Sequence, residues 1–130
     1  MLLADKSNPR FDSLAFLAQG GTGRRLMAFQ PKETLFTQGD QADSVFYLQS
    51  GRAKVTVVST EGKEATVTLL SAGEFAGEES LAAVAGLRLS TATAIEACAA
   101  LKISRGEMIS KVHEEPGFAD FFMSSCLQRA

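Results

Sequence analysis

Hydrophobic positions along this chain change period twice. Phe11, Leu14, Phe16 and Leu17, with Ala15 and Ala18 among them, recur at roughly helical spacing until Gly20-Gly21-Thr22-Gly23 ends the run. The spacing predicts a short N-terminal helix with the glycine run as its stop. A glycine cluster can also cradle phosphate, but this one follows a helix rather than a strand, and no Gly-Lys-Ser/Thr comes after it. From Leu26 to Ile103 short runs rich in Val, Thr, Phe and Leu are punctuated at Gln38-Gly39-Asp40, Ser50-Gly51, Glu61-Gly62-Lys63 and Ala72-Gly73-Glu74. That is an all-β rhythm. Arg52 to Thr60 sets Ala53, Val55 and Val57 against Lys54, Thr56 and Val58, and Glu64 to Leu70 sets Ala65, Val67 and Leu69 against Glu64, Thr66 and Thr68. Joined by Glu61-Gly62-Lys63, the two runs read as a hairpin. Ile95, Ala97, Ala99, Leu101 and Ile103 share one face of the last strand. Seven or eight such strands predict a sandwich or barrel of jelly-roll type.

After Ile103 the helical period returns. Ser104-Arg105-Gly106-Glu107 fits a capping box, in which the serine oxygen accepts from the backbone three residues on and the glutamate reaches back. A helix therefore starts at Arg105, with Met108, Ile109 and Val112 on its buried stripe. Pro116 suits the first turn of another helix, whose Phe118, Phe121, Phe122 and Leu127 make an apolar face. Those phenylalanines require a partner, either this domain's own sheet or a second copy of the chain.

Composition narrows the function classes. With 130 residues, 45% hydrophobic and 22% charged, the chain suits one domain and excludes disorder. Thirteen Lys and Arg against fifteen Asp and Glu leave a net charge of -2 with no basic block, so no nucleic-acid-binding surface is expected. The longest run free of charge, Ser13 to Gly23, is shorter than the roughly 20 apolar residues of a membrane helix. Asp5 and Lys6 follow directly on Leu2, Leu3 and Ala4, so no signal-peptide core is expected and the location expected is cytoplasmic. Cys98 and Cys126 stand apart in sequence, and with His113 they supply three Cys and His ligands, short of the four of a structural zinc site. No metal is expected, and Cys98 reads as a small apolar residue in a strand.

No catalytic constellation emerges. His113 lies on a surface helix beside Glu114 and Glu115, no Gly-x-Ser-x-Gly elbow is present, and Glu78 and Glu79 adjoin rather than face one another. The chain is not expected to be an enzyme. Its most informative segment is Phe75-Ala76-Gly77-Glu78-Glu79-Ser80-Leu81, followed by Arg88. A glycine turn into a short helix presents backbone N–H groups, and an arginine ten residues beyond Glu78 can return to the same spot. Such a nest suits an anion, above all a phosphate. A structural Arg–Glu ion pair is an equally economical reading of the same residues.

The order of Gln38-Gly39-Asp40, Val45-Phe46-Tyr47-Leu48, Ser50-Gly51-Arg52-Ala53-Lys54-Val55, Glu61-Gly62-Lys63-Glu64, Ala72 to Glu78, Arg88 and Cys98 to Ser104 resembles the cyclic-nucleotide-binding domain of the catabolite-activator and fumarate-nitrate-regulator (Crp/Fnr) superfamily, over roughly residues 25 to 130. The resemblance implies an eight-stranded jelly roll with a short N-terminal helix and two C-terminal helices. It divides the chain into an N-terminal helical lead (1–24), the jelly roll (25–104) and C-terminal helices that begin a dimer helix (105–130). It also implies a phosphate-binding cassette from Phe75 to Arg88. Gly77 and Glu78 would contact ribose, the backbone at Glu79 and Ser80 together with Arg88 would hold the cyclic phosphate, and Val55, Val67 and Leu70 would line the pocket. Two positions depart from the family pattern: Leu89 stands where a hydroxyl residue is usual, and Glu79 where an apolar one is usual. The implied ligand is cAMP or cGMP, with no cofactor required. The implied partner is a second copy through the C-terminal helix. DNA would be reached only through a domain not expected within residues 1–130. The alternative is a degenerate cyclic-nucleotide-binding fold acting as a ligand-independent dimerisation or interaction module.

Overall fold

The structure, a computed structural model, describes residues 11–82 and 86–129 of the chain. The expectation for Leu2 to Lys6, and the first part of the N-terminal lead, lie outside those residues. A short helix α1 (Ser13–Ala18), capped by the Asp12 carboxylate, precedes eight strands. These are β1 (Arg24–Phe29), β2 (Thr34–Phe36), β3 (Ser44–Ser50), β4 (Arg52–Val58), β5 (Glu64–Ser71), β6 (Phe75–Ala76), β7 (Thr91–Ala94) and β8 (Cys98–Ser104). A 3-10 turn (Glu78–Leu81) separates β6 from β7, and helices α2 (Arg105–Glu114) and α3 (Pro116–Arg129) follow β8. The strands form two four-stranded antiparallel sheets, ordered β1-β8-β3-β6 and β2-β7-β4-β5. This is the eight-stranded jelly roll with one N-terminal and two C-terminal helices.

Strand β3 shows why the molecule has two cores. Its residues Ser44 to Leu48 are all buried, because side chains alternate between faces and both faces are covered. Phe46 and Leu48 point between the sheets, where they meet Phe29, Phe36, Ala53, Leu70, Ala92 and Ala100. Val45 and Tyr47 point the other way, into a layer built from Phe16, Leu17, Phe75, Leu101, Ile103, Met108 and Phe118. The three phenylalanines of α3 find their partner in this second layer. Phe122 stands edge-on to Phe75 at 4.8 Å between centroids, Phe121 at 6.2 Å and Phe118 at 6.4 Å. Leu127, expected on the same apolar face, is instead exposed, as is Met123.

Three local expectations are corrected. The β4–β5 hairpin forms, but its pairing steps from Val55↔Thr68 to Thr56↔Thr66, which leaves Val67 of β5 as the extra residue of a bulge, and in β4 Thr56 is buried and Val58 exposed. Ile95 and Ala97 do not belong to a strand with Leu101 and Ile103. The chain turns between β7 and β8, and Ile95 N donates to Arg52 O at 2.9 Å. Only the serine half of the capping box forms. Ser104 Oγ accepts from Glu107 N at 3.2 Å, whereas Ser104 N donates to Gly23 O at 2.8 Å, and the Glu107 carboxylate faces Arg24 Nε at 3.9 Å.

Phe118 closes the aromatic layer, fully buried against Phe16, Phe11 and Phe75. Phe118→Ala should lower the unfolding free energy by about 3 to 5 kcal/mol, since the cavity sits among rigid rings that cannot close over it. Urea unfolding followed by circular dichroism measures this. A loss under about 1 kcal/mol would mean that α3 is not held by this ring.

Candidate ligand-binding site

The cassette begins where β6 ends. Phe75 and Ala76 pair with Tyr47 and Phe46 of β3, which fixes the strand, and the chain then turns at Gly77 with φ +81°. A side chain is excluded there twice over. The backbone lies in the left-handed region, and an added Cβ would come within 2.5 Å of Arg88 Nη1. The turn that follows is too short for a helix dipole of any weight, and Ser80 N donates back to Gly77 O at 3.1 Å. That N–H is therefore engaged within the turn, not directed at a ligand.

Arg88 is the organising group. It is only 3% exposed, yet its guanidinium stays protonated, because arginine does not release its proton in proteins. Burial pulls it below the ordinary arginine value, while Glu79, Asp43 and Asp40 push it back up. Nη1 donates to Gly77 O at 3.2 Å and Nη2 to Ser44 Oγ at 3.0 Å. Its Cζ sits 4.4 Å above the centroid of Phe36, and the Glu79 and Asp43 carboxylates approach to 3.7 and 3.9 Å. The backbone of Arg88 is anchored too: its N donates to Asp40 O at 2.7 Å, and its O accepts from Gly39 N at 3.0 Å.

A cavity of about 320 Å³ opens beside this cluster, lined by Phe36, Val55, Thr68, Ala76, Gly77, Glu78, Glu79 and Ser90. Its size is at the small end of ligand pockets, which run from about 300 to 1,000 Å³. Of the residues expected from sequence, Val55, Gly77, Glu78 and Glu79 meet around it. Phe75 lies in the aromatic layer, and Ser80 is fully buried with its hydroxyl lacking a hydrogen-bond partner among the described residues. Val67 is 58% exposed on the outer face, and Leu70 is packed in the core between the sheets, so neither lines the cavity. Leu89 is 69% exposed. Arg88 itself is not a lining residue, although Gly77, Glu79 and Phe36, which are, all touch its guanidinium.

Three lining residues were missed by the sequence reading, Phe36, Thr68 and Ser90, and Ala76 lay within the expected cassette without a role of its own. Ser90 supplies, one position later, the hydroxyl that Leu89 lacks. Thr68 follows from β5 parity once Leu70 is known to face inward, since alternate residues share a face. The Glu79 carboxylate has the most telling position. Its Oε2 is buried, has no hydrogen-bond partner among the described residues, and lies beyond hydrogen-bond length from Arg88. The protein thus places a carboxylate of its own between the guanidinium and the cavity that Glu79 lines. Behind the turn, Arg105 of α2 donates from Nε to Ser80 O at 2.8 Å, tying the cassette to the first residue of a helix. No group of three or more His, Cys, Asp or Glu able to hold a metal occurs among the described residues.

Comparison with known proteins bears on this geometry. A family profile described as the cyclic nucleotide-binding domain matches residues 26–115. The cAMP-activated global transcriptional regulator CRP of Pasteurella multocida is 36% identical over 76 residues, covering 58% of this chain and 36% of that protein. Its Salmonella typhimurium counterpart is 33% identical over 76 residues with the same coverage. The chain therefore spans little more than a third of the length of the curated relatives it matches. Among solved structures, the catabolite activator protein of Thermus thermophilus superposes with a TM-score of 0.72 at 25% identity, over 83% of this chain and 50% of that one. A transcriptional regulator from Thermotoga maritima reaches 0.74 at 18% identity, over 88% and 85%. The Xanthomonas campestris regulator CLP, described as responsive to c-di-GMP, also reaches 0.74 at 18%, over 83% and 55%. The chain belongs to the cyclic nucleotide-binding domain family, in the form carried by Crp/Fnr-type transcription regulators.

Proposed function

We propose that this chain is a ligand-sensing regulatory domain that takes cAMP, cGMP or a related small anion into the cavity beside Arg88. The observation that carries this reading is a buried guanidinium set behind a glycine turn at the wall of a cavity of about 320 Å³. Thr68 and Ser90 offer hydroxyls, Glu78 a carboxylate suited to a ribose hydroxyl, and Phe36, Val55 and Ala76 an apolar floor for a base. The phosphate would exchange with Glu79 for the guanidinium. That movement would be passed from the 3-10 turn through Ser80 O to Arg105 and so to α2.

The family is one of regulators rather than enzymes, and the domain would act in the cytoplasm without a cofactor. It would pair with a second copy through the part of α3 left uncovered, where Met123 and Leu127 are exposed, and reach DNA only through a separate domain. No helix among the described residues is long and apolar enough to cross a membrane. One observation favours the second reading, a degenerate fold serving as an interaction module: Glu79 and Asp43 already balance the charge of Arg88.

Titration calorimetry with cAMP, cGMP and cyclic di-GMP separates the two. Saturable heat from one nucleotide supports sensing, whereas no heat at millimolar nucleotide, with a dimer seen by light scattering, supports the interaction module. Glu79→Gln keeps the side-chain shape and removes the competing charge, so it should tighten cyclic-nucleotide binding roughly tenfold, or about 1.4 kcal/mol. Ser90→Ala should weaken it by about tenfold through loss of a hydroxyl to a charged group. Leu89→Ser should change little, because that side chain projects into solvent.

The ion pair can also be weighed without ligand. Arg88→Ala should destabilise the domain by on the order of 3 kcal/mol, since it strands Glu79, Ser44 and Gly77 O, although Glu79 and Asp43 keep some water contact that softens the loss. In the double variant with Glu79→Ala, part of that loss should be recovered, giving a coupling of about 1 to 2 kcal/mol by urea unfolding. Strict additivity would show that Glu79 does not feel the guanidinium.

A further inference from the structure

We infer that the chain carries a second anion site, beside Asp43 and Ser44, which accepts a small phosphate-type oxyanion. A second cavity of about 320 Å³ opens there, and Gly21, Gly23, Arg24, Arg25, Asp43 and Lys102 are among the residues that line it. Three cations face one carboxylate, in a chain whose net charge is -2.

The arrangement of the cations argues for an occupant. Arg25 of β1 and Lys102 of β8 are direct cross-strand partners, and both line the cavity. Like charges placed opposite one another in an antiparallel pair destabilise it. Neither side chain has an ion pair or hydrogen bond among the described residues, and the Lys102 ammonium lies 6.0 Å from the Phe46 ring centroid, at the outer limit of a cation–π contact. Arg24 differs, being held as scaffold. Its Nη1 donates to Phe16 O at 2.7 Å and Gln19 O at 2.9 Å, and its guanidinium lies over the Phe16 ring. The free cations are therefore Arg25 and Lys102, and an oxyanion between them would turn a mutual repulsion into two attractions.

The glycine run that looked like a simple helix stop completes the wall. Gly21 and Gly23 form the tight turn into β1, with Gly21 N donating to Arg24 O at 3.0 Å and Arg24 N to Gly21 O at 2.9 Å. Gly23 has φ +73°, and a Cβ there would strike Glu107 Cβ at 2.7 Å and Ser104 Oγ at 3.0 Å, so the turn lies flush against the start of α2. A glycine turn, two facing cations and Ser104, the N-cap of α2, thus converge from different elements on one space. The site does not depend on the cassette binding a nucleotide. The two meet at the Asp43–Ser44 wall, where Ser44 Oγ accepts from Arg88 Nη2 and donates to Asp43 Oδ1 at 3.0 Å, and at the Phe46 ring, which Arg88 and Lys102 both approach.

The test is a titration of the 130-residue chain with inorganic phosphate and with pyrophosphate, at ionic strength held constant with sodium chloride, read by amide NMR. Saturable shifts at Gly21, Gly23 and Ser104 are expected, with pyrophosphate the tighter ligand because it can span both cations. Arg25→Gln and Lys102→Gln should each weaken binding by about tenfold, and Lys63→Gln, which removes an exposed cation from the β4–β5 turn that lines neither cavity, should leave it unchanged. A second readout guards against misfolded variants. Lys102→Gln should raise the melting temperature in phosphate-free buffer by relieving the like-charge pair, and should lose the further rise that phosphate gives the unaltered chain. Shifts that do not saturate, shifts that sodium chloride reproduces, or shifts confined to Gly77 and Glu79 would each overturn the proposal. So would a short DNA duplex that moves the same amides more tightly than pyrophosphate, since it would assign the cavity to a nucleic-acid backbone.

Discussion

A charged guanidinium held away from water is the constraint on which the ligand end of this molecule depends. Arg88 is nearly as buried as the phenylalanines around it, and an isolated charge in that position would be prohibitively unfavourable. It is tolerated because every direction is answered. Gly77 O and Ser44 Oγ accept its protons, Phe36 covers its face, and two carboxylates stand close by. Each answer fixes something else in turn. Gly77 must be glycine, the Asp43–Ser44 corner must meet the cassette, and the Gly39–Asp40 turn must hold the arginine backbone. Three separate loops are registered on one side chain.

The same segment is fastened to the helices from its other face. Phe75, one residue from the cavity wall, is fully buried among Tyr47, Phe118, Phe121 and Phe122, and the carbonyl of Ser80 is held by Arg105. Edge-to-face rings resist sliding because each sits in a notch formed by the others. A displacement of the 3-10 turn therefore cannot be absorbed locally. The turn is thus joined to α3 through the aromatic layer and to α2 through the Arg105 guanidinium.

Much of this was legible in the sequence, and the boundary of legibility is physical. Turn glycines announce themselves because Gly39, Gly51, Gly62 and Gly73 all adopt positive φ, which other residues avoid. The hairpin of β4 and β5 and the cap at Ser104 followed from equally local chemistry. What escaped was phase. Both faces of β5 carry apolar side chains, so hydrophobicity could not decide whether Val67 or Thr68 faced the cavity, and Val67 is itself the extra residue of a bulge. Leu89 and Ser90 differ by a single position, yet one is in solvent and the other in the cavity wall. The meeting of Arg25 with Lys102 depends on how β1 pairs with β8, which no local pattern encodes.

Glu79 shows how a family scaffold can be retuned by one side chain. A guanidinium in an apolar wall attracts whichever anion comes nearest, and here the nearest is covalently attached to the same turn. An attached carboxylate pays no translational entropy, so an incoming phosphate must win on geometry, by making the paired hydrogen bonds that Glu79 fails to make at 3.7 Å. The unpartnered Oε2 is the measure of how imperfect the internal pair is. A ligand therefore gains by offering two well-placed oxygens to Arg88, or by supplying a donor that satisfies Glu79 where it stands. On the proposed reading, the first route would select a phosphodiester and move the turn. The second would leave the turn in place and fill the cavity without moving it, so the position of this one carboxylate would separate the two kinds of ligand.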